Sequence, residues 1–538
     1  MKKVITLVLV ICMLLSMCAC GTKPAKAPSA PAETKENTSS EESVLETFGS
    51  GVEGNVAEEQ KPLRFRLKTE PNTVDPHKTS GTGDPQVIQY QMYESLFREE
   101  KDGTIVPALA ESYELAEDST SITLNLRKDV FFHNDLPMTA DDVVFSLNRA
   151  METGYNSAYV GAIDKVEKIN DYTVKLSLKY SYAPIITCLS TLSTAIVCKS
   201  YVEENGDDIL TRSPMGTGPY MLKQWVSGDK LVYEAYPKYW RGEAKIKEAS
   251  IVFISDNTAA AISLETGDID VMTNLSTADI PTIQDNPELQ FVTGPAASQV
   301  LVSFNNASGK FADPRLREAV YLCIDRQEII DVAADGYGEV QTAALDSVLP
   351  ECPKNLPVPE KNVERAKELV AEAGYPDGLT VSMPTIDNGT YSKPATLLKE
   401  QLAPCGINIE IELMERAAWD DMVIYNTNYE IAIWALPITA LDSDFCASKF
   451  YSENCGGAGN FSNCNNEEID KLILQGRLLP LGEERTANYL KFCEAIRDNF
   501  VVCPIYTNMR SNAASVHLGG VYPSATLHMY MYDYYWMD

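Results

Sequence analysis

Alternating apolar and polar residues mark several strands in the first half of the chain. The segments ITLNLR (122–127) and YTVKLSLK (172–179) place an apolar residue at every second position. This two-residue period is typical of a strand that buries one face and exposes the other. Two further apolar runs, VYEAY (232–236) and ASIVFI (249–254), also predict strands.

Helices are predicted among and after these strands. Thr139 is followed three residues later by Asp142, which is the spacing of a capping box at a helix start. Another helix begins where Asp313 precedes Pro314. Its apolar residues recur at the spacing of one buried stripe: Leu316, Ala319, Val320, Cys323 and Ile324. A third helix is predicted over 363–374, and the chain therefore mixes α and β structure.

The first twenty residues have the order of a bacterial secretory leader. Lys2 and Lys3 precede an apolar run at 4–15, which is too short to span a bilayer. Cys20 lies in SMCACG, which resembles the lipobox whose cysteine receives a diacylglycerol anchor. Cys18 is the rival position, and an ordinary secretory leader is the alternative interpretation.

The lipobox interpretation predicts a signal peptide over 1–19 and a lipid-anchored tether over 20–60. The tether is rich in Pro, Ala, Ser, Thr, Lys and Glu. Such a composition cannot offset its ordering entropy, so we expect disorder there. The predicted location is the extracytoplasmic face of the cell membrane, where the lipid on Cys20 is the only expected membrane contact.

The composition and the absence of certain motifs mainly argue against several classes of function. The formal net charge is −31, so we expect no charge-driven binding to nucleic acid or to an anionic membrane surface. The chain has four histidines and no CxxC motif, which argues against a zinc site. Neither GxSxG nor HExxH occurs, so we predict no enzyme activity and no cofactor.

The cysteines beyond the leader leave one question open. Cys446, Cys455 and Cys464 follow each other at equal spacing. An extracytoplasmic location permits a disulfide among them but does not require one, so free thiols are the alternative. Cys323 lies on the apolar stripe of its predicted helix and is expected to be plain core.

Seven segments of the chain carry a shared family pattern. They are PALAESYELAEDSTSITLNLRKDVFFHNDLPMTADDVVFSL (107–147), GTGPYMLKQW (216–225), YPKYWRG (236–242), LETGDIDVM (264–272), FADPRLREAVYLCIDRQEII (311–330), AKELVAEAGYPDGL (366–379) and NFSNCNNEEIDKLI (460–473). In this order they resemble bacterial family 5 solute-binding proteins, a group that includes oligopeptide, dipeptide and nickel binders. The resemblance covers roughly residues 62–510.

This resemblance implies an α/β, two-lobed, periplasmic-binding-protein-like fold of class II type, in the large three-subdomain variant with a cleft between the lobes. Lobe I is expected over 61–300 and receives the C-terminal segment 506–538. Lobe II is expected over 301–505. The two lobes are expected to close over a ligand like a hinge.

The resemblance also implies where the cleft lies. Ser80, Gly81 and Thr82 match a segment along which a peptide could add as a strand, although a plain surface loop is the alternative. Trp434 matches a cleft tryptophan, with a core aromatic as the alternative. Peptide binders of the family carry an aspartate three residues after that tryptophan, and some of them carry an arginine three residues before it.

This chain departs from that pattern at both positions. Pro437 replaces the aspartate that receives a peptide's amino terminus, and Ile431 replaces the arginine that receives its carboxylate. Asp442 and Asp444 are candidate substitutes for the aspartate, with a solvated acidic loop as the alternative. It is therefore in question whether this chain binds the amino terminus and the carboxylate of a peptide through the usual ion pairs.

The function that the resemblance implies is substrate capture for an ABC importer. The expected ligand is a small solute, most plausibly a short peptide, and the expected partners are the permease and its ATPase subunits. The chain is expected to act as a monomer. Two alternatives remain: a sensor or interaction protein that presents a ligand to a receptor, and a binder of a sugar or metal chelate.

Overall fold

Strands that pair across long sequence distances organise the folded part of this chain. The structure is a computed structural model, and it describes residues 51–79, 83–438, 440–455 and 459–538. In these ranges the strands, in chain order, are β1 (Leu63–Leu67), β2 (Phe97–Glu99), β3 (Ile105–Pro107), β4 (Ala110–Leu115), β5 (Ser121–Leu126), β6 (Ile163–Asn170), β7 (Thr173–Leu178), β8 (Tyr220–Val226), β9 (Lys230–Ala235), β10 (Glu248–Phe253), β11 (Val271–Met272), β12 (Leu289–Phe304), β13 (Gly338–Val340), β14 (Leu379–Ile386), β15 (Ile407–Met414), β16 (Ile431–Pro437), β17 (Val502–Ser515), β18 (Leu518–Gly519) and β19 (Tyr535–Trp536).

Helices cover the faces and edges of the sheets. In the same ranges they are α1 (Asp84–Gln89), α2 (Ala140–Thr153), α3 (Ser157–Val160), α4 (Ile185–Cys188), α5 (Lys199–Asn205), α6 (Asn257–Glu265), α7 (Ile280–Gln284), α8 (Pro314–Cys323), α9 (Arg326–Ala333), α10 (Val363–Glu372), α11 (Gly389–Leu402), α12 (Arg416–Trp419), α13 (Ser443–Ala447), α14 (Glu467–Leu478) and α15 (Glu483–Asp498). Of these helices, none combines the length and apolarity that crossing a bilayer requires.

The elements predicted from periodicity are confirmed. The two alternating segments form β5 and β7, which pair antiparallel and bury every second residue. The two apolar runs form β9 and β10. The capping box is present at α2, where Thr139 and Asp142 exchange hydrogen bonds. Asp313 caps α8, and α10 occupies the third predicted segment.

One large sheet joins distant parts of the chain. Its strand order is β16-β12-β17-β11-β1-β10-β9-β8, and β13 also pairs with β17. β12 and β17 are neighbours in this order, and they pair antiparallel along most of their length. A second sheet, of order β4-β5-β7-β6, covers α2.

Buried side chains form separate cores around the two long strands. One core takes its buried members from residues 297–506. A second takes them from 63–292 and from the C-terminal stretch 514–536. A third lies against the β4-β5-β7-β6 sheet and includes Ala440. The chain therefore passes between cores along β12 and β17, while the lobe boundaries at 300 and 505 stay a prediction.

The pairing of β12 with β17 is interrupted at one place. The register shifts between Pro295 and Gln299, so that Ala296, Ala297 and Ser298 lie opposite fewer residues of β17. Such a bulge bends the strand and re-aims its side chains. It opens space beside the end of β16, since Ser298 is opposite Pro437.

The cysteines of the described ranges are free thiols. Cys446 and Cys464 are buried and Cys455 is exposed. The free-thiol alternative is thus the one that the structure shows. Cys323 is fully buried in the core formed by residues 297–506, as its place on the apolar stripe predicts.

Candidate functional site

A cavity of about 500 Å³ lies beside the C-terminal end of β16. Its walls come from two stretches that are far apart in sequence, 157–182 and 434–477. We call it the tryptophan cavity. The side chains that matter for its chemistry are Tyr180, Tyr182, Trp434, Asp444, Lys449 and Arg477.

Trp434 is both a wall of this cavity and a member of the core. It lies on β16 opposite Leu301 of β12, and only 8% of its surface is exposed. Its ring packs against Phe461 and meets Trp419 edge-on at 5.6 Å. The cleft and core interpretations of Trp434 are therefore compatible, because one edge faces the cavity while the rest is packed.

Asp444 also lines the tryptophan cavity, but its charge is already engaged. Arg477 Nε donates to its Oδ1 at 2.8 Å, and the Tyr182 hydroxyl donates to its Oδ2 at 3.4 Å. Burial raises the pKa of Asp444, although Arg477 opposes this effect. A ligand ammonium at Asp444 would have to share the carboxylate with Arg477.

Asp442 does not reach the cavity. Its side chain caps α13 by accepting the backbone N–H of Asp444 at 2.9 Å. Its other partner is Arg485, which donates through Nη1 to Oδ2 at 3.0 Å and through Nη2 to Oδ1. Both side chains are almost completely buried, and Glu351 lies on the far side of Arg485 at 3.5 Å. Neither aspartate belongs to a solvated loop.

A second cavity, of about 390 Å³, lies on the other side of the β16 end. We call it the arginine cavity. The bulge residues of β12 form one wall, and Asn508 and Arg510 of β17 form another. Pro437 and Ile438 line both cavities, so the two spaces flank one short segment.

The described residues that follow the first-lobe segment predicted for peptide contact line the arginine cavity. Ser80, Gly81 and Thr82 lie outside the described residues. Gly83 and Gln86, which follow directly in the chain, line the arginine cavity. Ile431 is fully buried and pairs with Phe304, whereas Pro437 faces both spaces.

Two cations of these cavities have no carboxylate partner among the described residues. Lys449 forms no ion pair in the tryptophan cavity, and burial lowers the pKa of its ammonium group. Arg510 forms none in the arginine cavity, and burial lowers the pKa of its guanidinium to about 10. The protein as a whole has a formal net charge of −31, whereas each of these two cavities contains a cation without a carboxylate partner among the described residues.

The sequence interpretation missed these cations and the tyrosines. Arg477 and Lys449 follow no recognisable motif, and their cavity positions depend on how α13 and α14 pack. One signal was present for Arg510, because it is the only charged residue in β17. In the described ranges, no group of three or more His, Cys, Asp or Glu side chains is placed to hold a metal ion.

Comparison with known proteins gives consistent matches. The family model for bacterial extracellular solute-binding proteins, family 5 (middle), matches residues 104–458. The glutathione-binding protein GsiB of Salmonella choleraesuis (strain SC-B67) is 29% identical over 348 residues, which are 64% of this chain and 67% of that protein.

Solved structures match nearly the whole folded part. The ABC transporter substrate binding protein CtaP from Listeria monocytogenes superposes with a TM-score of 0.79 at 24% identity, covering 89% of this chain and 100% of CtaP. HbpA2 from Haemophilus parasuis gives a TM-score of 0.81 at 22% identity, covering 89% of this chain and 100% of that one. These matches confirm the predicted α/β, two-lobed, periplasmic-binding-protein-like fold class.

Proposed function

The chain belongs to the bacterial extracellular solute-binding proteins of family 5, and on this premise we propose that it captures a short peptide between two lobes and delivers it to the permease of an ABC importer. The importer-binding role follows from the family, while the peptide is our choice of ligand class. The name of the relative GsiB supports this choice, since glutathione is a tripeptide.

One observation carries the proposal. The tryptophan cavity takes one wall from 157–182 and the other from 434–477, and these ranges belong to the two lobes that we predict. A solute held there contacts both walls and stabilises the closed arrangement. The volume of about 500 Å³ lies in the range of small-molecule sites. The aromatic rings of Tyr180 and Trp434 offer flat surfaces for side chains of a bound peptide.

Lobe closure and membrane attachment complete the proposal. β12 and β17 connect the cores, so a change in their backbone angles would move lobe I (61–300 with 506–538) relative to lobe II (301–505). Cys20, which lies outside the described residues, would hold the protein at the outer face of the membrane. The mass of the N-terminal peptide from membrane-extracted protein tests this anchor.

Tyr180 gives a test of the tryptophan cavity with little risk to folding, because 51% of its surface is exposed. We expect Tyr180→Ala to weaken binding of the best tripeptide from a library at least about tenfold, since an aromatic contact in a desolvated site is worth 1–2 kcal/mol. Isothermal titration calorimetry measures the change.

Tyr425→Ala is the matched control. Tyr425 is exposed to a similar extent, 55%, and lies on the segment after α12, away from both cavities. Its substitution should leave the affinity unchanged. Equal affinities of the Tyr180→Ala variant and the unmodified protein would show that peptides bind elsewhere.

A further inference from the structure

Arg510 occupies an unusual position in the large sheet. It lies on β17 opposite Gly294, immediately before the register shift that forms the β12 bulge. Its side chain lines the arginine cavity together with Ser298, Asn508 and Thr526. Among the described residues, no acidic side chain lines that cavity. A positive charge thus faces a space whose other polar groups are neutral.

The contacts of the guanidinium group are incomplete. Nη1 donates to the Asn274 side-chain oxygen at 2.7 Å, and Nη2 donates to the Ala525 carbonyl at a longer 3.3 Å. Nε is shielded from water and has no hydrogen-bond partner in the described part of the chain. The edge formed by Nε and Nη2 is therefore the weakly bonded side of the group.

No carboxylate of the folded part neutralises Arg510. Asp84 attracts it through space, but the Asp84 carboxylate accepts the backbone N–H groups of Lys68 and Thr69 at 2.9 and 2.8 Å. The internal residues outside the described ranges (80–82, 439 and 456–458) include no Asp or Glu. These internal residues therefore cannot supply a carboxylate partner for Arg510.

Two buried arginines of this protein that form no ion pair are bonded differently from the half-buried Arg510. Arg317 donates four hydrogen bonds to the carbonyl groups of Phe311, Ala312, Asn499 and Phe500. Arg66 donates four as well, to Ile254, Asn257 and Thr273. These two side chains are structural, because the fold itself satisfies them. Arg510 donates two hydrogen bonds, half as many, although it is placed on a long, well-paired strand.

An incompletely bonded cation in a cavity favours an anionic ligand. Leaving a buried donor unsatisfied costs about 1–3 kcal/mol, and more for a charged group. The planar guanidinium edge matches a carboxylate, which accepts two parallel hydrogen bonds. An ammonium group would be repelled by Arg510, and Asp444 across Pro437 is already bound to Arg477.

We propose that the Arg510 guanidinium receives a carboxylate group of the captured solute, so that the solutes of this protein are short peptides that carry a free carboxylate. This inference rests on the proposed function and specifies its ligand. Arg510 would take over the role that position 431, an isoleucine in this chain, cannot fill. Lys449 adds a second positive charge on the other side of Pro437.

Three equimolar tripeptide libraries test this assignment. The first has neutral side chains and a free C-terminus, the second has the same sequences as C-terminal amides, and the third consists of amides with one Glu side chain. The full-length protein is equilibrated with each library, and native mass spectrometry reports the captured peptides. We expect capture of the first library, the third, or both, at least about 30-fold above the second. The first reports a terminal carboxylate and the third a side-chain carboxylate.

Arg510→Gln should abolish this preference, and Arg365→Gln is the matched control. Arg365 is an exposed arginine of α10, paired with Glu368 and Glu372 and distant from both cavities. The control should retain the preference. If the glutamine variant does not fold, Arg510→Lys keeps the charge and removes the planar fork, and it should reduce the preference.

The outcomes separate the two proposals. Equal capture of the neutral amides and of the two libraries that carry a carboxylate overturns the role of Arg510 while the peptide function stands. A preference for carboxylates that survives in folded Arg510→Gln protein does the same. Capture of no peptide from any library overturns the proposed function, and this inference with it.

Discussion

The two cavities beside Pro437 differ in how their charges are balanced. In the tryptophan cavity the aspartate that faces the space is paired with Arg477, and the aspartate behind it is paired with Arg485. In the arginine cavity Arg510 has two neutral acceptors and one unsatisfied donor. Charges that are neutralised within the protein hold the structure together, whereas a charge left open is available to a ligand.

The free-energy cost of a buried charge without a partner depends on whether the group can lose that charge. A buried carboxyl group can take up a proton and lose its charge. A guanidinium group cannot do so at neutral pH, because even a pKa lowered to about 10 leaves Arg510 charged. Arg510 therefore keeps its charge in the arginine cavity, which supports the proposal that it binds an anionic group. Three experiments probe the comparison.

The largest effect is expected for Arg485→Ala. This change leaves Asp442 buried without its cation, and breaking such a pair from one side typically costs about 3–5 kcal/mol of unfolding free energy. Urea denaturation followed by circular dichroism measures the loss. The exposed substitution Arg365→Ala should cost less than about 1 kcal/mol. A loss below 1 kcal/mol for Arg485→Ala would mean that the pair does not support the structure.

The next largest effect is expected for Asp346, whose carboxyl group can be protonated and so become neutral. Burial raises the pKa of Asp346 to about 7, and its Oδ2 has no partner among the described residues. The folded state then holds the proton more tightly than the unfolded chain, whose Asp pKa is about 3.9. The stability contribution of this group is therefore constant below about pH 4, falls as the pH rises to about 7, and stays low above that.

Asp346→Asn removes this dependence. Relative to the unmodified protein, we expect the variant to gain about 2–4 kcal/mol at pH 8 and close to nothing at pH 4. Urea titrations across the pH range give the difference. Asp377→Asn, at an exposed turn position, should show no comparable trend. A gain of Asp346→Asn that is independent of pH would contradict the raised pKa.

The smallest effect compares two arginines directly. Arg317→Met leaves four backbone carbonyls without their donor and should cost about 2 kcal/mol. Arg510→Met removes an incompletely bonded cation and should cost less than about 1 kcal/mol in the ligand-free protein. Thermal unfolding of the two variants shows the order. If Arg510→Met is the more destabilising of the two, Arg510 is a structural residue like Arg317.

Local patterns predicted much of the fold. The alternation in β5 and β7, the capping box of α2 and the Asp313 cap of α8 depend on residues close in sequence, and all are present. The family resemblance extended this to the fold class. It also predicted Trp434 as a cleft residue from a motif; Trp434 lines the tryptophan cavity, and its contact with a ligand stays a prediction.

The pairing of charged side chains with one another could not be predicted from local patterns or motifs. Asp444 meets Arg477 from a separate helix, and Asp442 meets Arg485 from the next one. From the sequence, both aspartates were candidates for binding an ammonium group. The structure engages each of them with an arginine, and no motif connects the partners. Whether either also contacts the ligand stays a prediction.

The sequence by itself predicted several strands and helices, the fold class and the family, since hydrophobic period and helix caps depend on neighbouring residues and the order of the motifs is read along the chain. Only the tertiary structure decided which charges are neutralised. Arg510 faces a cavity because β12 bulges more than 200 residues away and β16 ends beside it. Electrostatic energy depends on distance in space and on burial, and the order of residues along the chain fixes neither.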